Sequence, residues 1–159
     1  MSKSTAPALS EPTPTPAASA CGAADSLLRA ASECARQHER LGRCLELGCS
    51  DDELKHIAEL ATLADAHLSV TAAAYEPLAT VAAREAKDSG WWHAANALWH
   101  ASREYARRNA GVNQVQRVSG KHSRDKLNEL AMEFELEKSA LLQLKRAVTD
   151  YRAVRPTSE

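Results

Sequence analysis

The chain has 159 residues, of which 44% are hydrophobic and only 4% aromatic, and its formal net charge is −1. This length fits one domain with a tail, and the near-neutral charge argues against a dedicated nucleic-acid binder, whose surface is usually strongly basic. Alanine is abundant, which favours helices over sheet. No stretch approaches the roughly 18 consecutive apolar residues of a membrane span, so we expect a soluble protein with no membrane partner.

The N-terminal segment is rich in Pro, Ser, Thr and Ala. Residues 18–21 resemble a lipoprotein cleavage site, but a signal peptide needs an apolar run of roughly 7–15 residues before that site. Prolines at positions 7, 12, 14 and 16 interrupt the stretch instead, and such a composition is typical of disorder. We predict a disordered leader over residues 1–22, a folded domain over 23–154 and a disordered end over 155–159.

Two helices are predicted in the first half of the folded domain. Apolar residues recur at helical spacing from about Ala24 to Leu47, and Gly48 follows where a helix would end. Ser50 and Glu53 then form a capping box, which begins the second helix. Pro77 lies inside that helix, which either kinks there or stops and restarts. The apolar spacing stays in phase across the proline, which favours a kink.

Two further helices follow, the third from Trp91 to at least Asn109 with a stripe that continues toward Val118, and the fourth from about Ser123 to Val154. Three short connections make neighbouring helices antiparallel. The predicted fold class is all-α, an antiparallel (up-down-up-down) four-helix bundle with a disordered N-terminal tail.

The fourth helix carries the clearest coiled-coil pattern. Its two apolar rows have heptad spacing, and they consist of Leu127, Phe134, Leu141 and Val148 in one row and Leu130, Leu144 and Tyr151 in the other. The remaining core position holds Glu137, and a buried charge is costly unless it is paired. Counting outward from the turns places Glu137 opposite Tyr105, whose hydroxyl could donate to it. We interpret this pair as a buried hydrogen bond that fixes the register of the third and fourth helices. The alternative is that Glu137 is a buried acid in a ligand site.

Two histidines lie on apolar stripes of the first two helices. The same count places His38 level with Ala61, and His67 level with Ser32. Because these are different layers of the bundle, we expect no metal site shared by the two histidines.

The four cysteines, at positions 21, 34, 44 and 49, do not form the pattern of a disulfide framework. We interpret them as free thiols in a reducing compartment, which predicts a cytoplasmic location. No cofactor is expected, but one end of the bundle gathers a chemically valid zinc set. It consists of Cys44, Cys49, His56 and His122, whose spacing matches no zinc signature.

The opposite end gathers three tryptophans and polar neighbours. Exposed tryptophan is typical of interfaces, although bulky rings can also cap a core. The candidates for partner binding are Trp91, Trp92, His93, Asn96, Trp99 and His100.

Charge is distributed unevenly along the chain. Arg103–Lys126 holds seven basic and two acidic residues, a net of +5, whereas Glu46–Asp65 holds six acidic and one basic, a net of −5. A basic stripe could bind phosphate or nucleic acid. We favour rim ion pairs, in which Arg107 and Arg108 meet glutamates of the fourth helix.

No phosphate-binding loop and no Ser-centred elbow is present in the sequence, and we assign no catalytic residue. We expect a non-enzymatic interaction, adaptor or assembly protein with a protein partner, and a homodimer is one form of it. The alternative is a metal- or cofactor-binding bundle. A third hypothesis is phosphate or nucleic-acid binding through Arg103–Lys126.

Overall fold

In a computed structural model the protein consists of four α-helices, and the structure describes residues 16–85, 87–118 and 124–156, with side chains for 18–85, 87–114, 124–125 and 127–156. The helices are α1 (Pro16–Leu47), α2 (Asp51–Glu85), α3 (Gly90–Val118) and α4 (Arg124–Val154). No strand occurs in the described ranges, which confirms the all-α fold class. The most extensive packing is between α1 and α2 and between α3 and α4, so two helical hairpins make up the bundle.

The contacts between neighbouring helices fit an antiparallel arrangement. Near the start of α3, Trp99 donates from Nε1 to the carbonyl of Ala72 in the second half of α2. Further along α3, Asn109 contacts Asp65, which is earlier in α2. Contacts therefore move backward along α2 as they move forward along α3, as the short connections lead one to expect.

Local signals set the helix ends as the sequence predicts. Gly48 has φ +72°, and its N–H donates to the carbonyl of Cys44 at 3.0 Å. Only glycine adopts this backbone conformation without steric cost, so it ends α1. Ser50 Oγ accepts from the N–H of Glu53 at 3.3 Å, as an N-cap does. Helix α2 continues through Pro77.

Helix α1 begins earlier than expected. It starts at Pro16, so the predicted disorder is wrong for residues 16–22, while 1–15 and 157–159 lie outside the described residues. Proline suits the first helical position because its missing N–H would have no partner there. The alanines that follow favour helix, and Ala20 and Ala24 are fully buried.

Most of the buried apolar side chains, including the largest, lie in one half of the bundle. We call this the closed half, and it comprises residues 16–34, 66–85, 90–105 and 138–154. One fully buried leucine from each helix lies here: Leu27, Leu68, Leu98 and Leu144. Three fully buried tyrosines complete it, Tyr75, Tyr105 and Tyr151.

The other half, residues 35–47, 51–65, 106–118 and 124–137, we call the open half. Here the expectation that both rows of α4 are buried is wrong, because Leu127 is 50% and Phe134 43% exposed. The rows are buried only from Leu144 onward. Among the side chains of this half that the structure describes, seven large apolar ones are exposed: Leu45, Leu47, Leu63, Leu127, Met132, Phe134 and Leu136.

Candidate functional site

A cluster of polar side chains lies at the boundary between the two halves and draws on all four helices. We call it the polar cluster, and its members are Cys34 and His38 from α1, Asp65 from α2, Tyr105 and Asn109 from α3, and Glu137 from α4. Side chains four residues apart lie on the same face of a helix. This spacing aims the two α1 residues at the bundle interior, and likewise the two α3 residues.

Asp65 is the centre of the polar cluster. Its Oδ1 accepts from Cys34 Sγ at 3.3 Å and from the Tyr105 hydroxyl at 3.3 Å, and lies 2.8 Å from His38 Nε2. An ionised carboxylate only accepts, so the imidazole is the donor in that contact. The Tyr105 oxygen lies 2.7 Å from the same Nε2. Three donors from two helices thus converge on one oxygen.

Asn109 joins this centre to Glu137. Its Nδ2 donates to Asp65 Oδ2 at 3.0 Å and to Glu137 Oε1 at 3.1 Å. Its own Oδ1 accepts from Asn113 Nδ2 at 2.7 Å. A single amide therefore bridges two carboxylates that would otherwise repel each other at close range.

Burial changes the acidity of the groups around Asp65. Desolvation raises the pKa of Glu137, and the nearby carboxylate of Asp65 adds to that rise. Desolvation also raises the pKa of the Cys34 thiol and of the Tyr105 hydroxyl far above their usual ranges, again with help from Asp65. Both groups therefore keep their protons and act as hydrogen-bond donors at neutral pH.

A groove of about 1130 Å³ leads to the polar cluster from the open half. It is lined by four members of the polar cluster, His38, Asp65, Asn109 and Glu137, and also by Phe134 and several alanines. Among the described residues, no Lys or Arg lines this groove. It is therefore a solvent-accessible cleft with two carboxylates and, in the part of the chain that the structure describes, no permanent positive charge on its walls.

The polar cluster includes three side chains whose donor atoms could hold a metal ion. The ligand atoms of Cys34, His38 and Asp65 all lie within 4.8 Å of one another. Thiolate, imidazole and carboxylate are the groups that zinc uses as ligands in proteins.

The structure alters the predicted surroundings of Glu137. Its carboxylate accepts from Asn109, whereas the Tyr105 hydroxyl bonds to Asp65, so the expected direct bond between Glu137 and Tyr105 is not formed. His38, which was placed level with Ala61, contacts Asp65 one helical turn further along α2. His67 is exposed, so its expected place on an apolar stripe is wrong.

Among the described residues, the members of the predicted zinc set do not group as metal ligands. Cys44 and Cys49 form a disulfide with a Cα–Cα distance of 5.3 Å, which corrects the expectation of free thiols at these two positions. The turn at Gly48 brings them together, and in this state neither sulfur is a thiolate ligand. His56 is exposed, and His122 lies outside the described residues. Zinc binding there remains a prediction for the reduced chain.

The tryptophan end shows mixed burial. Trp91 and Trp99 are half-buried and pack on the core, and the guanidinium of Arg103 lies over the Trp99 ring at 5.1 Å. Trp92 is half-buried, and its Nε1 has no hydrogen-bond partner in the part of the chain that the structure describes. His93 and His100 are exposed beside these rings, and Asn96 is half-buried. Partner binding by this face remains a prediction.

The expected rim pairs form within one helix. Arg107 and Arg108 both donate to Glu104 of the same helix, at 2.8–2.9 Å, and not to glutamates of α4. Hydrogen bonds from Arg107 lower the pKa of Glu104 to about 2. This part of the basic stretch is therefore partly neutralised by its own helix.

Sequence reasoning missed Cys34, Asp65 and Asn109 as site residues. The sequence predicts Cys34 only as a free thiol and Asp65 only as one acid of the stretch Glu46–Asp65. The available signal was the pair of i, i+4 spacings, Cys34–His38 and Tyr105–Asn109, on stripes that otherwise hold apolar residues.

No helix in the described part of the chain is long and apolar enough to cross a membrane. Comparisons with protein-family models, curated proteins and solved structures find no match to this chain.

Proposed function

We propose that this protein is a non-enzymatic assembly module that binds a second copy of itself through the open half. The observation that carries the proposal is the exposed heptad row of α4. Leu127 and Phe134 continue the row that ends in the buried Val148, yet they are 50% and 43% exposed. Helices use such rows to pack on other helices, and exposed apolar patches typically mark sites of protein association.

The charges of the same half support a second copy as the occupant. The acidic stretch Glu46–Asp65, with a net charge of −5, and the basic stretch Arg103–Lys126, with a net charge of +5, overlap it from different hairpins. In a two-fold dimer both copies contribute the same surface, and residue i of one copy contacts residue j of the other while residue j of the first contacts residue i of the second. The acidic stretch of one copy can then face the basic stretch of the other, which favours pairing and steers association.

Sedimentation equilibrium of the full chain over a wide concentration range tests the proposal. We expect a monomer–dimer equilibrium, which Phe134→Glu weakens by at least roughly tenfold because it buries a charge in the interface. Val154→Glu is the matched control. It changes a residue of the same helix that is 45% exposed in the closed half, and we expect it to leave the equilibrium unchanged.

A chain that stays monomeric at every concentration contradicts self-assembly, as does equal weakening by the two variants. Dissociation by Trp92→Ser instead of Phe134→Glu would favour the tryptophan face as the interface. The cytoplasmic location also remains a prediction, and a reducing cytosol would hold Cys44 and Cys49 as thiols.

A further inference from the structure

We propose that the polar cluster binds one divalent transition-metal ion through Cys34 Sγ, His38 Nε2 and Asp65 Oδ1, with an open coordination position toward the groove. This site is separate from the predicted zinc set at the α1–α2 turn. It does not depend on the assembly function, because the ligands come from α1 and α2 of one chain.

The spacing of the donor atoms is close to what an ion requires. Sγ and Nε2 lie 3.3 Å and 2.8 Å from Asp65 Oδ1, and all three atoms lie within 4.8 Å of one another. A tetrahedral zinc ion, with metal–sulfur distances of about 2.3 Å and metal–nitrogen or –oxygen distances of about 2.0 Å, separates its ligand atoms by about 3–4 Å. Small side-chain movements on fixed helices therefore suffice to form the site.

The metal ion replaces hydrogens that now lie between these atoms. Cys34 and His38 both point a proton at Asp65 Oδ1. On binding, the thiol gives its proton to solvent, and the imidazole takes the tautomer with its proton on Nδ1, so that sulfur and Nε2 each offer a lone pair. With a neutral imidazole one proton, that of the thiol, is released for each ion bound, and affinity consequently rises with pH.

The surrounding groups favour a cation and hold the ligands in place. Asn109 donates to Asp65 Oδ2, which fixes the carboxylate through the oxygen that the ion does not use, as outer-shell partners do at metal sites. The Tyr105 hydroxyl, 3.3 Å from Oδ1, is a second such partner, on the oxygen that it would share with the ion. Glu137 adds a second carboxylate on the groove wall, and no Lys or Arg among the described residues lines that wall. Sulfur and imidazole ligands select Zn²⁺ or Co²⁺ over Mg²⁺ and Ca²⁺.

Titration of the full chain with Co²⁺ tests the site directly, because thiolate coordination gives a sulfur-to-cobalt charge-transfer band. We expect one Co²⁺ per chain, displaced by an equivalent of Zn²⁺. Cys34→Ser should remove the band and weaken binding by roughly 100-fold, since loss of even an outer-shell partner costs 10–100-fold. His38→Gln should weaken binding similarly. Cys21→Ser, which changes the other free cysteine, should retain the band and bind within about twofold of the original chain.

The triple variant Cys21→Ser, Cys44→Ser, Cys49→Ser keeps the test decisive even if changes at Cys34 or His38 prevent folding, because it leaves Cys34 as the one thiol. We expect it to bind Co²⁺ with the band unchanged. Absence of stoichiometric binding by the original chain overturns the proposal. So does loss of the band in the triple variant together with its survival in Cys34→Ser, since the sulfur would then come from the α1–α2 turn.

Discussion

In the closed half, leucines from all four helices meet alanines and fully buried tyrosines, whereas in the open half the apolar side chains of α4 lie at the surface. The heptad pattern of α4 is the same in both halves. Its burial differs: Leu144 and Val148 are buried in the closed half, whereas Leu127 and Phe134 are exposed in the open half, where residues of all four helices line the groove. A regular apolar pattern therefore specifies a helix face that can be buried. Whether that face is buried within the same chain depends on the residues that the other helices place against it.

The polar cluster lies where the core of large buried leucines and tyrosines ends. Asp65 is half-buried, and four hydrogen bonds to its two oxygens offset the cost of removing its carboxylate from most of the solvent. The same bonds tie α1, α2 and α3 together, and Asn109 extends the network to α4. We infer that stability is concentrated in the closed half and that the polar cluster fixes the register there.

The largest expected effect separates the two halves directly. Leu144→Ala removes a fully buried side chain and should lower the free energy of unfolding by about 2–5 kcal/mol, through lost transfer energy and a cavity. Leu127→Ala, the matched change at a half-exposed position of the same helix, should cost less than about 1 kcal/mol. Urea unfolding followed by circular dichroism, at a concentration where the chain is monomeric, measures both. Equal losses would break the distinction between the halves.

The next prediction tests whether the hydrogen bonds of Asp65, at the boundary between the halves, contribute to the free energy of unfolding. Asp65→Asn keeps the size of the side chain but replaces one of its two acceptor oxygens with an NH₂ group, so at least one donor of the polar cluster loses its partner. Such a loss costs about 1–3 kcal/mol. Urea unfolding in the presence of EDTA separates this effect from metal binding. Glu59→Gln, at an exposed position of the same helix, is the control and should be neutral. A neutral Asp65→Asn would show that the hydrogen bonds do not stabilise the fold.

The sequence was sufficient for the helices because their signals are local. Ser50 and Gly48 set helix ends through contacts within a few residues, and the apolar rows of α4 depend only on spacing. The site was harder to predict because it depends on helix register. An error of one turn placed His38 level with Ala61 instead of Asp65, and it removed the histidine from the surroundings of Glu137.

Other parts of the structure lacked a distinctive local signal. Asp65 looks like any surface acid until α1 and α3 are docked beside it. The disulfide between Cys44 and Cys49 requires the tight turn at Gly48, which the sequence did predict. A cysteine on each side of a helix-ending glycine is therefore a signal that could have been used.

The smallest expected effect concerns Glu137 and depends on pH. Burial raises the pKa of this carboxyl above its ordinary value of 4.5, so the folded state favours the protonated form. The stabilisation that Glu137 gives in its protonated form is therefore fully present below pH 4.5, the ordinary value that applies to the unfolded chain. It is lost as the pH rises through the higher pKa of the folded state. Glu137→Gln is always neutral, and its amide oxygen can still accept from Asn109. We therefore expect it to match the original chain in acid and to exceed it by about 1 kcal/mol at pH 7, an ordinary size for one substitution.

Thermal unfolding of Glu137→Gln and the original chain across this pH range measures that difference. Glu135→Gln, at an exposed position of the same helix, is the control and should be neutral at every pH. A Glu137→Gln variant that is less stable at pH 7 would mean that the ionised carboxylate stabilises the bundle. In that case the hydrogen bond from Asn109 to the ionised Glu137 would stabilise the fold by more than the desolvation of the Glu137 carboxylate costs. Both Glu137 and Asp65, and not Asp65 alone, would then stabilise the helix contacts at the boundary between the halves.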